Sequence, residues 1–235
     1  MILLRIFFAI IIVIIYLLLL IIIPKKFVYK ISQFFSKKLL YVCGLNNITV
    51  HNKELFDYYF NKGKPFIIIC NHISLWDGII LTSIFGKVRY LASKTSTNVF
   101  IGTQHCLNKL DCLFVEQQNT VNKIKENLNT NNVLIIFPDA MNEIPLNQCI
   151  ADFKTGAFAI NCDILPVIIK YDNFTINPTF YWYKNENPIY SWIKILFNYN
   201  INIKVKVLPL IKSNKNINKF KDKVHKYMSK EYQNL

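Results

Sequence analysis

The feature that most limits the fold of this 235-residue chain is an uncharged apolar run at its amino terminus. Ile6 to Ile23 contains no charged residue, and Arg5 is the only charged side chain before Pro24. About eighteen or more such residues cross most of a ~30 Å hydrocarbon layer as a helix. The run is longer than the apolar part of a usual signal peptide, and no A-x-A-like site precedes Pro24. We predict a transmembrane anchor over residues 1–24, with a cleaved signal peptide as the alternative.

Basic residues follow this run and set its expected orientation. The lysines in question are Lys25, Lys26, Lys30, Lys37 and Lys38. Because the cytoplasmic flanks of membrane helices carry the excess of Lys and Arg, we expect a single-pass anchor with the rest of the chain at the cytosolic face.

Apolar residues recur at helical spacing among these lysines. They are Phe27, Ile31, Phe34, Phe35, Leu39 and Val42. The spacing of three and four residues predicts a basic amphipathic helix over residues 25–46 that lies on the membrane surface. A first helix that packs on the core of the following domain fits the same spacing equally well.

Short apolar segments alternate with helix-like segments over residues 47–235. The strand-like segments are 65–70, 88–93, 112–116, 132–138, 164–171 and 202–210. The helix-like segments are 77–85, 98–108, 120–130, 153–161 and 216–231. Strands that are apolar almost throughout are typical of a sheet covered on both faces. The alternation predicts an α/β domain, a mostly parallel sheet flanked by helices, while segment 172–200 fits no element clearly.

Charge and cysteine spacing restrict the classes of partner and site. The formal net charge of +14 favours anionic partners such as phospholipid, nucleic acid or a phosphorylated carrier like coenzyme A. Nucleic-acid binding rests on charge alone, because no zinc-finger, RRM or KH signature is present, and we do not expect it. The six cysteines form no C-x-x-C pair and have no zinc-like spacing, so we expect reduced thiols and no metal site.

Polar residues follow several predicted strands at the point where each strand ends. Asn71 and His72 follow the first strand, Glu116 the third and Asp139 the fourth. In open α/β sheets, ligands bind beyond the carboxyl ends of the strands. We therefore expect these four side chains to line one cleft.

His72 and Asp77 are the candidate catalytic pair. Five helical steps would leave them about 140° apart, so the side chains meet only if residues 73–76 form a tight turn and Asp77 begins a helix. Asp77 would then accept a hydrogen bond from one ring nitrogen of His72, and the other nitrogen can take a proton. No enzyme nucleophile is required, because the hydroxyl of a substrate can be the activated group. Cys70 is disfavoured as a nucleophile, since neighbouring strand residues point to opposite faces.

The segment NHISLWD, residues 71–77, resembles the N-H-x-x-x-x-D motif of the glycerolipid acyltransferases, the family of 1-acylglycerol-3-phosphate acyltransferase and other lysophospholipid acyltransferases. Further segments are similar to later motifs of that family in the same order. These are Lys94 after strand 88–93, FVEQ (114–117) for F-I-D-R, FPDAMN (137–142) for F-P-E-G-T-R, FKTGAF (153–158) for a Gly-containing helix and LPVII (165–169) for the V-P-V strand. The resemblance covers about residues 65–170.

This resemblance implies a membrane-bound O-acyltransferase in phospholipid biosynthesis or remodelling. His72 would deprotonate the hydroxyl of a lysophospholipid, which attacks the thioester of acyl-CoA or acyl carrier protein. The implied substrate contacts are Asn71, Lys94, Glu116, Asp139 and Lys154. Asn71 is also a candidate to support the turn that follows it. No metal or redox cofactor is implied, because the thioester is already activated and needs positioning, deprotonation and oxyanion stabilisation. The expected partners are membrane phospholipid and acyl-CoA, and the simplest product is phosphatidic acid.

The chain departs from the family pattern at positions implicated in holding the acceptor's phosphate. Gln117 replaces the arginine of the second motif, and Asp139, Ala140 and Met141 replace Glu, Gly and Thr of the third. Losing a bidentate arginine removes a strong phosphate contact. A lysophospholipid with a larger head group is therefore the alternative acceptor.

Two further readings of these departures stay open. Basic residues elsewhere, namely Lys94, Arg89 or Lys154, are candidates to replace the missing arginine as point charges. Alternatively, the chain is a catalytically decayed acyltransferase fold that binds lipid or scaffolds a membrane. The altered third motif favours this alternative, whereas the intact motif at 71–77 argues against it.

Overall fold

The structure, a computed structural model, describes residues 2–93, 102–115, 119–128, 133–139, 149–172 and 201–235. Its helices are α1 (Ile2–Ile22), α2 (Lys25–Val42), α3 (Lys53–Asn61), α4 (Asp77–Phe85), α5 (Thr103–Lys109), α6 (Thr120–Asn127) and α7 (Ile217–Gln233), with a 3-10 helix at Thr155–Ile160. Its strands are β1 (Ile48–His51), β2 (Ile67–Cys70), β3 (Val88–Ser93), β4 (Leu113–Val115), β5 (Val133–Ile136), β6 (Ile164–Asp172) and β7 (Asn202–Val207).

The described strands form one seven-stranded sheet in the order β1-β7-β6-β2-β5-β3-β4. Neighbouring strands are parallel except β6 and β7, which are antiparallel. The predicted α/β class with a mostly parallel, helix-flanked sheet is therefore confirmed. Strands β2 to β7 fall on the six predicted segments, while β1 and α3 were not predicted. The helix expected over residues 153–161 is only a short 3-10 helix, and most of segment 172–200 lies outside the described residues.

Apolar side chains cover both faces of this sheet. Ile68 and Cys70 of β2 lie in one buried cluster together with side chains of α1, α2 and α4. Ile67 and Ile69 of the same strand lie in a second cluster with side chains of α6, the 3-10 helix and α7. Because successive residues of a strand point to opposite faces, β2 contributes to both cores. The strand that leads to His72 is thus held rigidly from both sides.

Helices α1 and α2 form an antiparallel pair over one face of the sheet. Arg5, near the start of α1, lies beside Gly44, just after the end of α2. Farther along α1, the hydroxyls of Tyr16 and Ser32 are 2.7 Å apart. The inner side of α2 packs on α4, where the Gln33 side-chain amide donates to the Ser83 carbonyl at 3.1 Å.

The close approach of α2 to the end of α4 depends on Gly86. A Cβ at this position, whose φ is +72°, would lie 2.9 Å from the Gln33 side-chain oxygen. Gly86 therefore allows both the positive φ of the turn after α4 and the close contact with α2. The inner face of α2 thus packs on the domain core, which is one of the two arrangements expected for residues 25–46.

The outer faces of α1 and α2 are apolar and exposed. Leu3, Phe7, Leu18 and Ile22 are among the exposed residues of α1, which is the one helix of the described chain that is long and apolar enough to cross a membrane. On α2 the exposed large side chains are Phe27, Phe34 and Tyr41. Their seven-residue spacing places them along one side of the helix. An apolar surface of this extent is typical of contact with lipid or with another protein.

Candidate active site

The segment between β2 and α4 folds tightly around the carboxylate of Asp77. The backbone N–H groups of Ile73 and Ser74 donate to Asp77 Oδ2 at 2.6 and 2.8 Å. Asp77 is also the first residue of α4. The carboxylate therefore pairs with backbone N–H groups of the turn that precedes the helix, a local bond that aspartate side chains commonly make. The turn expected between His72 and Asp77 is therefore present.

This turn brings the imidazole of His72 onto the same carboxylate. His72 Nδ1 lies 2.9 Å from Asp77 Oδ2. Asp77 is completely buried, whereas 17% of the His72 side chain is exposed. In the neutral ring the hydrogen bond makes Nδ1 the donor, so the lone pair sits on Nε2. The predicted hydrogen bond is present, and the catalytic roles of both residues stay predictions.

The surroundings of His72 favour the protonated ring. Burial lowers the pKa of His72, but the hydrogen bond to Asp77 and the charges of Asp77 and Asp139 raise it, and the net direction is upward from 6.5. An imidazole with a raised pKa is a stronger base. The imidazolium that forms when it takes a proton is stabilised by the same carboxylates.

Asp139 supports the turn from the neighbouring strand. It lies just beyond β5 and is only 2% exposed. Its Oδ2 accepts the backbone N–H of His72 at 2.7 Å, while its buried Oδ1 has no hydrogen-bond partner within the described parts of the chain. Burial raises the pKa of Asp139 to about 6, against the opposing interaction with His72. Asp139, Asn71 and His72 therefore lie close together beyond the strand ends, but Asn71 and Asp139 are buried and do not line an open cleft as expected.

Replacing Asp139 by asparagine is expected to stabilise the folded protein near neutral pH. The folded pKa of about 6 lies above the usual carboxyl value. The contribution of the Asp139 carboxyl to the free energy of unfolding is therefore most favourable at low pH and is lost as the pH rises through 6. Two units of pKa correspond to about 3 kcal/mol of unfolding free energy. Asparagine keeps an oxygen for the His72 N–H without the buried charge. Thermal unfolding in detergent should show a higher midpoint for Asp139→Asn at neutral pH and a smaller difference near pH 4. A lower midpoint at neutral pH would contradict this account.

Asn71 joins β2 to β6. Its side-chain Nδ2 donates to the Ile169 carbonyl and its Oδ1 accepts from the Ile169 N–H, both at 2.9 Å. The residue is 1% exposed. Both ends of the amide are used by the backbone of β6, so Asn71 is placed to hold the strand end beside His72 rather than to contact a substrate.

Two aromatic residues that the sequence patterns did not single out complete the surroundings. The ring of Phe137 stacks on the His72 imidazole, with centroids 4.2 Å apart and planes 20° apart. The hydroxyl of Tyr171 donates to Asp77 Oδ1 at 2.5 Å. The F-P pair at 137–138 was a usable signal for Phe137. For Tyr171 the only signal was its position at the carboxyl end of a predicted strand.

The basic residues proposed as phosphate contacts lie in different places. The Lys154 side chain is exposed, and its backbone N–H donates to the Pro138 carbonyl at 2.8 Å, which places it next to Asp139. Arg89 is buried at the start of β3 and donates to the Asn127 carbonyl at the end of α6. Because His72 lies beyond the opposite ends of the parallel strands, Arg89 does not replace the missing arginine. Lys94 and Glu116 lie outside the described residues.

The thiol of Cys70 is not part of the reactive group. It is completely buried beneath the turn, and burial together with the charges of Asp77 and Asp139 raises its pKa well above the usual value. A protonated, inaccessible thiol is neither a nucleophile nor a metal ligand.

Comparison with known proteins places this geometry in a family. Residues 47–170 match the family model described as Acyltransferase. The fold is similar to the crystal structure of the 1-acyl-sn-glycerophosphate (LPA) acyltransferase PlsC from Thermotoga maritima, with a TM-score of 0.66 and 15% identity over 93% of this chain and 86% of that chain. No curated protein matches the sequence significantly. The family match covers more than half of the chain and includes the predicted resemblance over residues 65–170, and we conclude that the chain belongs to the Acyltransferase family.

Proposed function

We propose that this protein transfers an acyl chain from acyl-CoA to the hydroxyl of a lysophospholipid, most simply converting 1-acylglycerol 3-phosphate to phosphatidic acid. The observation that carries the proposal is the 2.9 Å contact of His72 Nδ1 with the fully buried carboxylate of Asp77 at the carboxyl end of β2. Family membership supports the reaction class. The acceptor is supported by the similar fold of PlsC, which is described as an LPA acyltransferase.

The reaction follows from the orientation of the imidazole. With Nδ1–H bonded to Asp77, Nε2 removes the proton from the acceptor hydroxyl as its oxygen attacks the thioester carbon. The tetrahedral intermediate collapses with cleavage of the carbon–sulfur bond. The proton on Nε2 then passes to the departing thiolate, which restores the neutral ring. The thioester supplies the activation, so the chain's task is to position the two substrates, move one proton and stabilise charge.

The proposal assigns substrate contacts to residues outside the His72–Asp77 pair. Lys154, which is exposed beside Pro138, is proposed to bind the anionic head group or the phosphates of the donor, and Lys94 is proposed for the same role. Asp139 is proposed as a contact to a hydroxyl of the lysophospholipid, which requires its buried Oδ1 to become accessible when substrate binds. Glu116 is proposed as a further contact to the acceptor's polar groups.

A direct assay tests the function. Membranes that carry the protein are supplied with labelled acyl-CoA and a panel of lysophospholipids together with glycerol 3-phosphate. We expect labelled product with at least one lysophospholipid, and a parallel series with acylated carrier protein identifies the donor. If no acceptor yields product with either donor, the enzyme proposal is wrong and a lipid-binding, catalytically decayed fold takes its place.

We also propose how the protein meets the membrane. Residues 1–24 act as the anchor, residues 25–46 lie at the membrane surface, and the acyltransferase domain, residues 47–235, faces the cytosol. The exposed apolar side of α1 and the row formed by Phe27, Phe34 and Tyr41 support this arrangement. An amphipathic substrate then reaches the site without leaving its bilayer. Protease added to sealed inverted vesicles should digest the domain, whereas protection there would contradict the orientation.

A tryptophan at position 34 is expected to report contact with lipid. Phe34 is 53% exposed on the outer side of α2, so Phe34→Trp should be quenched by brominated phospholipids. Tyr58 on α3 is equally exposed, at 53%, but is not part of the α1–α2 surface, which makes Tyr58→Trp the matched control. The measurement is the quenching of each variant minus that of the parent protein. Equal quenching at the two positions would contradict a membrane role for α2.

A further inference from the structure

The carboxylate of Asp77 is bound on both oxygens, from two separate parts of the fold. Oδ2 accepts the N–H groups of Ile73 and Ser74 and the His72 ring, all within the turn itself. Oδ1 accepts the hydroxyl of Tyr171 at 2.5 Å, from strand β6. Rotation of the carboxylate about its last torsion would break the bonds on both oxygens. The Tyr171 bond therefore adds a restraint that comes from outside the turn.

Tyr171 is itself held firmly. Asn71 ties Ile169 to the end of β2 by two hydrogen bonds, and β2 and β6 pair in parallel with Cys70 opposite Val167. Tyr171 follows Ile169 by two residues, so both side chains lie on the same face of the sheet, and both belong to the cluster that includes α4. The phenol therefore approaches the start of α4 from a fixed position.

We propose that Tyr171 is a positioning residue of the His72–Asp77 pair, whose hydroxyl fixes the orientation in which Asp77 receives the imidazole. The inference rests on the proposed acyl transfer and extends it to a residue outside the motif at 71–77. Tyr171 touches neither substrate in this account and acts through Asp77. The charge-assisted bond also draws negative charge away from the oxygen that faces His72.

The electrostatics around Asp77 make this effect measurable. Among the described residues, the groups that interact with its charge, besides His72, Asp139 and Tyr171, are Cys70, Tyr90 and Tyr232. Burial raises the pKa of all three, so none of them ionises near neutral pH. Burial and the charge of Asp77 also raise the pKa of Tyr171, which stays a donor. Removing its hydroxyl leaves more negative charge facing His72 and favours the protonated ring.

The test compares Tyr171→Phe with the parent enzyme in the acyl-transfer assay. We expect kcat to fall about 10- to 100-fold, the range for losing a hydrogen bond to a charged group, with KM for both substrates unchanged. The rising limb of the pH profile of kcat/KM, which reports the neutral His72 ring, should move to higher pH. A Tyr171→Phe enzyme with the parent kcat and an unmoved limb would overturn the inference.

Tyr90→Phe is the matched control. The Tyr90 hydroxyl is likewise buried and hydrogen-bonded, to Thr82 at 2.8 Å and to the Gly78 carbonyl at 2.6 Å, but it makes no bond to Asp77. We expect a lower thermal midpoint from this change and no movement of the pH limb. If Tyr90→Phe moved the limb as far as Tyr171→Phe does, a general loosening of the core would account for both and the inference would fall.

Two further measurements keep the inference testable. If Tyr171→Phe does not fold, a fluorotyrosine in place of Tyr171 preserves shape and hydroxyl while strengthening the donor, and it should move the limb to lower pH. An unmoved limb with this residue would refute the role. An NMR titration of the His72 ring gives the same comparison without turnover. A parent protein that transfers no acyl group but whose His72 titration responds to Tyr171→Phe would reject the proposed function and retain the positioning role.

Discussion

Acyl transfer is expected to fall by about 10²- to 10⁴-fold in His72→Ala, the range that a positioned general base contributes. Alanine removes Nε2, the only proposed acceptor of the substrate's proton. A water molecule beside Asp77 is not an equivalent base. Because the acceptor and donor still bind through other groups, KM should change much less than kcat. Initial rates in membranes with matched protein content measure both. The exposed His51 on edge strand β1 provides the control, and His51→Ala should keep the parent rate. An undiminished rate in His72→Ala would remove the base from the mechanism.

The second large effect is expected from Asp77→Asn. An amide at this position presents an N–H₂ group as readily as an oxygen to His72, so the ring can adopt the tautomer in which Nε2 carries the hydrogen. The corresponding change in a serine protease lowers kcat by about 10⁴, and we expect a loss of about 10³ or more here. The rising limb of the pH profile of kcat/KM should move to lower pH, since the charge that raises the pKa of His72 is gone. This direction is opposite to the one expected for Tyr171→Phe.

This variant needs a measurement of folding beside the rate. Asp77 also closes the turn by accepting the N–H groups of Ile73 and Ser74, so some loss of stability is expected. Thermal unfolding shows whether the protein is folded at the assay temperature. Asp57→Asn, at an exposed side chain paired with Lys53, is the control and should leave both rate and midpoint unchanged. A folded Asp77→Asn protein with the parent rate would show that the carboxylate has no part in the reaction.

The parts of this structure that sequence predicts best are those set by neighbouring residues. The turn from His72 to Asp77 was predictable because the six residues between β2 and α4 leave few ways for the two side chains to meet. Strands β2, β5 and β6 were predictable because they are apolar and largely buried. Strand β1 was missed because it is a four-residue edge strand in which intermediate and exposed residues alternate, Ile48 to His51, which carries little apolar signal.

The unpredicted parts depend on partners that are distant in sequence. Asn71 was expected to contact a substrate or to support the turn, and nothing near it in the chain shows that Ile169, 98 residues away, takes both ends of its amide. Tyr171 lies 94 residues from Asp77, so no local pattern could connect them. The sequence did not decide whether α2 packs on the domain or lies on a membrane, since both arrangements need the same spacing of apolar residues.

The long-range hydrogen bonds at the site also determine the stage of protein synthesis at which the site can form. His72 is joined to Asp139 across 67 residues, and Asn71 to β6 across 98. Contacts of such separation form late, since a long loop must close before they are made. On the ribosome the apolar α1 emerges first and β6 only after more than two thirds of the chain. A nascent or truncated product that stops before β6 therefore carries both His72 and Asp77 yet lacks the strand that braces them, and remains inert until synthesis has passed that point.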